Sequence, residues 1–326
     1  MITLKKDPQR DFIILNISDP QLSDEEWDDS QNCHKILINT ITELIHECKP
    51  DLITVSGDIA WSNNFVSYER FSDLIDSFGI PWAPVLGNHD QETSRENICR
   101  AVDIMTQRKH CVFEYGDPSL ASIGNYIIRI EENDDPIHAI FMINSNNRKN
   151  YITNTGTSGQ CWADLTFDQM RWYADSVDAW KSEGGKSSSI VMHIPLYNYN
   201  EAFHAALKPG INRIEVSAGD GMQTDCWNEG YEDSVGVCYE SSFCGSAKTD
   251  NGMLNLITEK CNTRVVLAGH DHTNNYIIPY RGVLLGYSLK AGCGCYWDPR
   301  LNGGTVLSVA SDGSITVKHH YIVPRI

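Results

Sequence analysis

The chain has 326 residues, 41% of them hydrophobic and 21% charged, enough apolar material for a substantial core. Its formal charge of −17 disfavours a protein that grips long nucleic acids through their phosphates, which needs clustered Lys and Arg. No apolar run approaches the roughly 20 residues of a membrane span. The 11 cysteines, odd in number and scattered, fit reduced thiols in a cytoplasm better than a disulfide framework.

Met1 to Arg10 is polar, and Phe12–Ile17 is too short for a signal-peptide core and reads as a buried strand. A cytoplasmic location is expected, with a secreted source whose signal has been removed as the alternative. That first strand runs into Ser18-Asp19-Pro20-Gln21, and the acidic run Asp24, Glu25, Glu26, Asp28 and Asp29 reads as a solvated loop. Residues 32–48 repeat apolar positions at helical spacing, and Leu52–Ser56 is a second strand ending at Gly57-Asp58. Tyr68–Phe78 reads as a helix closed by Gly79, and Trp82–Leu86 as a third strand ending at Gly87-Asn88-His89-Asp90. This β-α-β-α-β opening implies parallel strands whose carboxyl ends gather the chemistry.

Further along, Tyr126–Ile130 and His138–Ile143 read as paired strands joined by the turn at Glu131–Asp135. Thr166–Ser182 is an amphipathic helix. Ser189–Met192 is a strand running into His193, and Arg264–Ala268 one running into Gly269-His270-Asp271-His272. Between them, about 208–250, a stretch rich in Gly, Asn, Asp and Cys reads as a lid-like insertion. The end of the chain, 304–321, alternates around Ser311-Asp312-Gly313 as a β-hairpin. The pattern predicts one domain over residues 1–326: an α/β fold with two mixed sheets packed face to face between helices, a four-layer α/β/β/α sandwich.

The polar residues at the strand ends are Asp19, Asp58, Asn88, His89, His193, His270 and His272. Carboxylates, an amide and imidazoles are the ligand types that hold two borderline-hard metal ions side by side. A lone Gly-Asp is usually a turn, and a lone His a packed core residue. The joint occurrence, each at a strand end, is what points to a site. The remaining histidines, among them His138, His204 and His319, are assigned to surface or packing.

The blocks Asp19-Pro20-Gln21, Gly57-Asp58, Gly87-Asn88-His89-Asp90, His193 and Gly269-His270-Asp271-His272 resemble the calcineurin-like metallophosphoesterase superfamily. The wording of Ile80–Asp90, His193–Leu196 and Ala268–His272 is similar to its purple-acid-phosphatase-like branch. The resemblance implies a dinuclear centre of two divalent or trivalent ions (Mn, Fe or Zn). Asp19 and His272 hold one ion, Asp58 bridges, and Asn88, His193 and His270 hold the other. Gln21, where most of the superfamily has histidine, is a direct ligand or supports one from behind. His89 faces the phosphate as general acid or charge stabiliser, and Asp90 positions the site's imidazoles. Trp61 stands where purple acid phosphatases place a tyrosine ligand, so the tyrosinate colour is expected to be missing.

The implied activity is a phosphatase using a metal-activated hydroxide on a phosphorylated small molecule or phosphoprotein. A phosphodiesterase or nucleotide pyrophosphatase is the alternative, and a non-catalytic, metal-stabilised protein-binding scaffold the second. No stable nucleic-acid or membrane partner is expected. Asn63, Asn64, Tyr197 and Tyr199, with Tyr296 and Trp297, are candidate pocket residues. Trp227, Tyr231 and Tyr239 are candidates for stacking on a leaving group or for packing a lid.

Overall fold

The computed structural model describes residues 2–28, 32–152, 156, 158–206, 214–218, 222–226, 236–238, 240 and 245–325. In chain order the strands are β1 (Ile2–Lys5), β2 (Phe12–Ile17), β3 (Leu52–Val55), β4 (Trp82–Pro84), β5 (Tyr126–Glu132), β6 (Asp135–Met142), β7 (Arg148–Ile152) and β8 (Ser158–Trp162). They continue as β9 (Ser187–Val191), β10 (Ile214–Ala218), β11 (Met222–Cys226), β12 (Thr263–Ala268), β13 (Ile277–Tyr280), β14 (Val283–Tyr287), β15 (Gly303–Val309) and β16 (Ile315–Tyr321). The helices are α1 (Cys33–Cys48), α2 (Phe65–Asp76), α3 (Arg95–Thr106), α4 (Phe167–Ser182), α5 (Asn198–Ala206) and α6 (Met253–Lys260).

Two mixed sheets organise the chain, one of seven strands in the order β1-β5-β6-β9-β12-β14-β13 and one of five in the order β16-β15-β2-β3-β4. In the first, β6, β9, β12 and β14 run parallel. In the second, β2, β3 and β4 run parallel and β15 and β16 antiparallel. Residue alternation along β6 shows why both faces of the larger sheet must be covered. Ile140 and Met142 join the core shared with the smaller sheet and α1–α3, whereas Ala139 and Phe141 join the one under α4–α6. The result is the mixed α/β architecture that the periodicity predicts, with sheet against sheet and helices outside.

Local signals explain the best-matched elements. Helix α1 occupies the predicted span, and α4 starts at a capping box in which Thr166 and Gln169 satisfy each other's backbone N–H groups. Helix α2 begins at Phe65, three residues before the predicted start, and Phe71 and Ile75 on it are buried. The edge strand β1, the helices α3, α5 and α6, and the hairpins β7–β8 and β13–β14 were not anticipated. β1 is four residues with alternating partial exposure, so it carries almost no periodic signal until it pairs with β5. Most of the predicted 208–250 insertion, with Trp227, Tyr231 and Tyr239, lies outside the described residues. Within it β10 and β11 pair antiparallel. The acidic run forms a 3-10 turn at Glu25–Trp27, Asp24 accepts from Ser67 N, and Asp28 pairs with Arg70; Asp29 lies outside the described residues. No described helix is long and apolar enough to cross a membrane.

Candidate metal centre

Five parallel strands deliver the site. Asp19 follows β2, Asp58 follows β3 and Asn88 follows β4; His193 follows β9, and His270 and His272 follow β12. The two sheets meet at the carboxyl ends of their parallel strands, where His193 Nδ1 reaches Ser56 O at 2.8 Å and His270 N donates to Asp19 Oδ2 at 3.2 Å, and within each sheet the backbone keeps neighbouring strand ends together. Asp19 N donates to Gly57 O at 3.2 Å, Gln21 N to Asp58 O at 3.1 Å and Gly269 N to His193 O at 3.0 Å. Asp19, Gln21, Asp58 and His270 all take positive φ, which turns the chain sharply after each strand. Gly57, at φ +93°, and Gly87 allow the approach: a Cβ on Gly87 would lie 2.1 Å from Asp58 Oδ1.

One group of donors centres on His193. Its Nδ1 is 2.8 Å from Ser56 O, which assigns the proton there and leaves Nε2 as the ligating nitrogen. That Nε2 lies 3.1 Å from Asp58 Oδ2, 3.0 Å from Asn88 Oδ1 and 3.3 Å from His270 Nδ1. Ligands at roughly 2.0–2.2 Å from one ion are roughly 3.0–3.5 Å from each other, so these separations suit a common cation. The electrostatics agree. Burial lowers His193, but the Asp58 and Asp19 carboxylates and the Ser56 carbonyl together outweigh it and lift the ring to about 9, so positive charge is favoured where these side chains meet. Burial, with repulsion from His193, pushes His270 down to about 3 and keeps it in the neutral, ligating form.

The second group centres on Asp19. His272 donates Nδ1 to Tyr296 O at 2.8 Å, leaving Nε2 3.4 Å from Asp19 Oδ1. Asp19 Oδ1 is buried without a hydrogen bond, as are both side-chain polar atoms of Gln21 and the Asn88 amide nitrogen. Buried orphans of this kind are costly unless something satisfies them, and a cation fits the Asp19 and Gln21 oxygens. Burial would raise Asp19, but the adjacent His272 imidazole and the charges of His193 and Lys290 hold it well below the usual range.

A cavity of about 480 Å³ opens over these ligands, lined by Asp58, His89, Arg148, Trp162, Glu240, His270, His272 and Tyr296 among others. His89 N donates to Asp58 Oδ1 at 2.8 Å, its Nδ1 pairs with Glu92 at 2.8 Å, and its ring packs 4.3 Å from Trp61. Trp61 therefore supports His89 where the purple enzymes have a ligand.

Asp90 is placed differently from expectation. Among the described residues it makes no hydrogen bond to an imidazole, and instead accepts from Gly87 N at 2.7 Å, Ile59 N at 3.1 Å and Tyr68 Oη at 2.6 Å. It ties together the loops that carry Asp58 and Asn88. Tyr199 also departs: it is fully buried in α5, with its hydroxyl on Val266 O at 2.8 Å, and is not among the described residues lining this cavity. Asn64 accepts from Asp24 N, and Asn63 from Thr93 and Asn97, so both brace the loop after Asp58. His138 lies buried between Ser187 and Ser189, and His319 bonds Thr305 and Asn275 O, in packing roles.

Sequence reasoning missed Lys290, Glu240, Trp162 and Arg148. Lys290 is 2% exposed and donates Nζ to the Asp19 carbonyl; burial pushes it down. Glu240 accepts from Thr273 N at 2.6 Å and from the Tyr296 hydroxyl, and the Tyr296 ring stacks 4.1 Å from His272. The insertion is thereby fastened to the His272 loop. Burial raises Glu240. Among the described cysteines Cys48, Cys99, Cys111, Cys161, Cys261, Cys293 and Cys295 are free thiols.

The family model for calcineurin-like phosphoesterases matches residues 12–274. "Probable inactive purple acid phosphatase 28" of Arabidopsis thaliana is 25% identical over 279 residues, covering 79% of this chain and 62% of that protein. "Probable inactive purple acid phosphatase 29" of the same plant is 22% identical over 297 residues, covering 83% and 69%. The chain thus spans 62% and 69% of the length of these two relatives. A dimetal phosphatase from Danio rerio superposes with a TM-score of 0.53 over 95% of this chain and 96% of that one, at 12% identity, a likeness of fold.

Proposed function

Because the chain belongs to the calcineurin-like phosphoesterase family, we propose that it is a metal-dependent phosphoester hydrolase, and in particular a phosphomonoesterase. The observation that carries this reading is the cluster of Asp58, His193 and His270, with the Asp19–His272 pair beside it, beneath a cavity that also presents His89. Asp19, Gln21, Asp58 and His272 would hold one ion, and Asp58, Asn88, His193 and His270 the other. Two such ions supply neutralisation of the phosphoryl oxygens and a hydroxide nucleophile at neutral pH.

The protein's own part is positional. His193 and His272 are oriented by Ser56 O and Tyr296 O, so that each ring offers the site its Nε2. With Nδ1 on Glu92, His89 keeps Nε2 for the substrate, where it protonates the leaving oxygen or stabilises charge on the phosphoryl group. Asp90 holds the loops in register. A phosphorylated small molecule or phosphoprotein in the cytoplasm is the substrate this reading favours.

Two observations keep other readings in play. A cavity of about 480 Å³ accommodates more than a phosphate, which suits a phosphodiester or nucleotide pyrophosphate. The word "inactive" in the names of the plant relatives favours a metal-stabilised binding scaffold. The deciding experiment is turnover of p-nitrophenyl phosphate and its bis ester after loading with Mn²⁺, Fe²⁺ or Zn²⁺, with Asp58→Asn as control. Monoester turnover abolished by Asp58→Asn supports the proposal, diester preference moves it to the diesterases, and no turnover leaves the scaffold. His89→Ala should keep metal content while turnover falls about 10²–10⁴-fold.

A further inference from the structure

Arg148 is the one permanent cation among the described residues that line the cavity. It opens β7 and pairs across the hairpin with Trp162, the last residue of β8. Its guanidinium lies 4.0 Å over the Trp162 ring, and the Trp162 ring meets His270 edge-on at 4.4 Å. One stack therefore connects the cation to a side chain of the donor group around His193. The base of the hairpin is braced: Ala163 N donates to Asn147 O at 2.9 Å, Asn146 Nδ2 to Gln169 Oε1 at 2.9 Å, and Lys149 pairs with Asp164.

The neighbouring Lys149 has a carboxylate partner. Arg148 forms no ion pair or hydrogen bond with any described residue, although the chain carries 43 acidic residues against 26 basic. A guanidinium placed over an indole face still has N–H groups left to donate, and they suit two oxygens of one oxyanion. Stacking also removes rotamer freedom before any ligand arrives, so less is lost on binding.

We propose that Arg148 is a substrate-binding residue that takes a phosphate oxyanion, with Trp162 as the platform that aims it. This deepens the phosphoester-hydrolase reading and rests on it for the identity of the substrate. The oxyanion is either on the reacting phosphoryl group or on a second phosphate farther out along the cavity wall. Kinetics separates these two positions.

The test uses the full chain loaded with Mn²⁺, comparing wild type with Arg148→Ala and Arg148→Lys. Calorimetric titration with inorganic phosphate is expected to show affinity weakened about tenfold to hundredfold in Arg148→Ala, the usual effect of losing a charge-assisted bond. Arg148→Lys should recover part of it, with metal content and thermal midpoint unchanged in both. Turnover reduced on p-nitrophenyl phosphate and on ADP-ribose alike places Arg148 on the reacting group. Loss confined to ADP-ribose, seen in KM, places it on a second phosphate.

Phosphate affinity and both turnovers unchanged in a metal-loaded Arg148→Ala protein would overturn the proposal and leave Arg148 as a packing residue of the hairpin. The reading beneath it fails separately. A wild type that binds phosphate through Arg148 but hydrolyses nothing would sink the hydrolase and keep the site. An active wild type indifferent to Arg148→Ala would do the reverse.

Discussion

Replacing Asp90 tests whether this carboxylate holds the metal loops rather than the imidazoles. Its oxygens accept from Gly87 N, Ile59 N and the Tyr68 hydroxyl, and Asp90 is 1% exposed. Asp90→Ala leaves three buried donors without an acceptor, at about 1–3 kcal/mol each. Burial and repulsion from Asp58 raise Asp90 to about 7, so above that pH the variant also sheds a strained carboxylate. At pH 5, allowing for water entering the space vacated, the loss should be about 3–6 kcal/mol, a large part of the roughly 5–15 kcal/mol that holds a domain, and it should be smaller at pH 8. Asp90→Asn keeps the volume and one acceptor and should cost about 1–3 kcal/mol. Tyr68→Phe removes a single bond at about 1 kcal/mol, and the Asp90→Asn/Tyr68→Phe pair should show coupling of about 0.5–3 kcal/mol.

The assay is urea unfolding of protein stripped of metal with a chelator, so that ion binding does not contribute to stability. Metal affinity is then measured on each variant. Gly87 and Ile59 flank Asn88 and Asp58, so affinity should fall with Asp90→Asn while Tyr68→Phe changes it less. At pH 5, where a carboxyl raised to about 7 by burial and by Asp58 carries no charge to relieve, an Asp90→Ala protein no less stable than Tyr68→Phe would refute the reasoning, because three lost bonds should then cost more than one.

Three other expectations follow from particular contacts. Burial pushes His138 down to about 3, against an ordinary value of 6.5; the unfolded chain therefore binds a proton that the native state refuses, and stability present above pH 6.5 is lost as pH falls toward 3. At pH 5 this group alone should cost about 2 kcal/mol, and unfolding midpoints of His138→Gln should lose that part of the slope between pH 7 and 5. Tyr296→Phe removes the hydroxyl that ties Glu240 to the loop of His272 and should weaken metal binding severalfold by calorimetry; unchanged affinity would show that the insertion does not position His272. Gly57→Ala combines a φ of +93° with a Cβ 2.7 Å from Gly87 N, so a thermal scan should show destabilisation of about 2 kcal/mol or more.

Much of the site was legible because its residues are punctuation in a periodic text. Apolar runs such as Phe12–Ile17, Leu52–Val55 and Thr263–Ala268 mark buried strands, and a polar residue just beyond each run sits at a strand end. Parallel order then requires those ends to share one edge of a sheet. Asp19, Asp58, Asn88, His193, His270 and His272 follow that logic, and the ligand chemistry of their side chains supplies the rest. Local spacing cannot report what a side chain does across the fold. Asp90 shares a motif with His89, yet what it grips is Tyr68 on α2 and two loop amides.

The sequence by itself determined the polar residues at the strand ends and the α/β class, because both are written in periods of two and 3.6 and in turn chemistry within a few residues. Only the tertiary structure decided that Trp61 backs His89, that Lys290 is buried on the Asp19 carbonyl, and that Glu240 and Tyr296 hold the loop of His272. It alone set Arg148 on Trp162 beside His270. Most of those contacts, such as Lys290 with Asp19 and Trp162 with His270, join elements far apart in the chain, and a pairing of that kind is selected by how the chain packs, not by any pattern either partner carries.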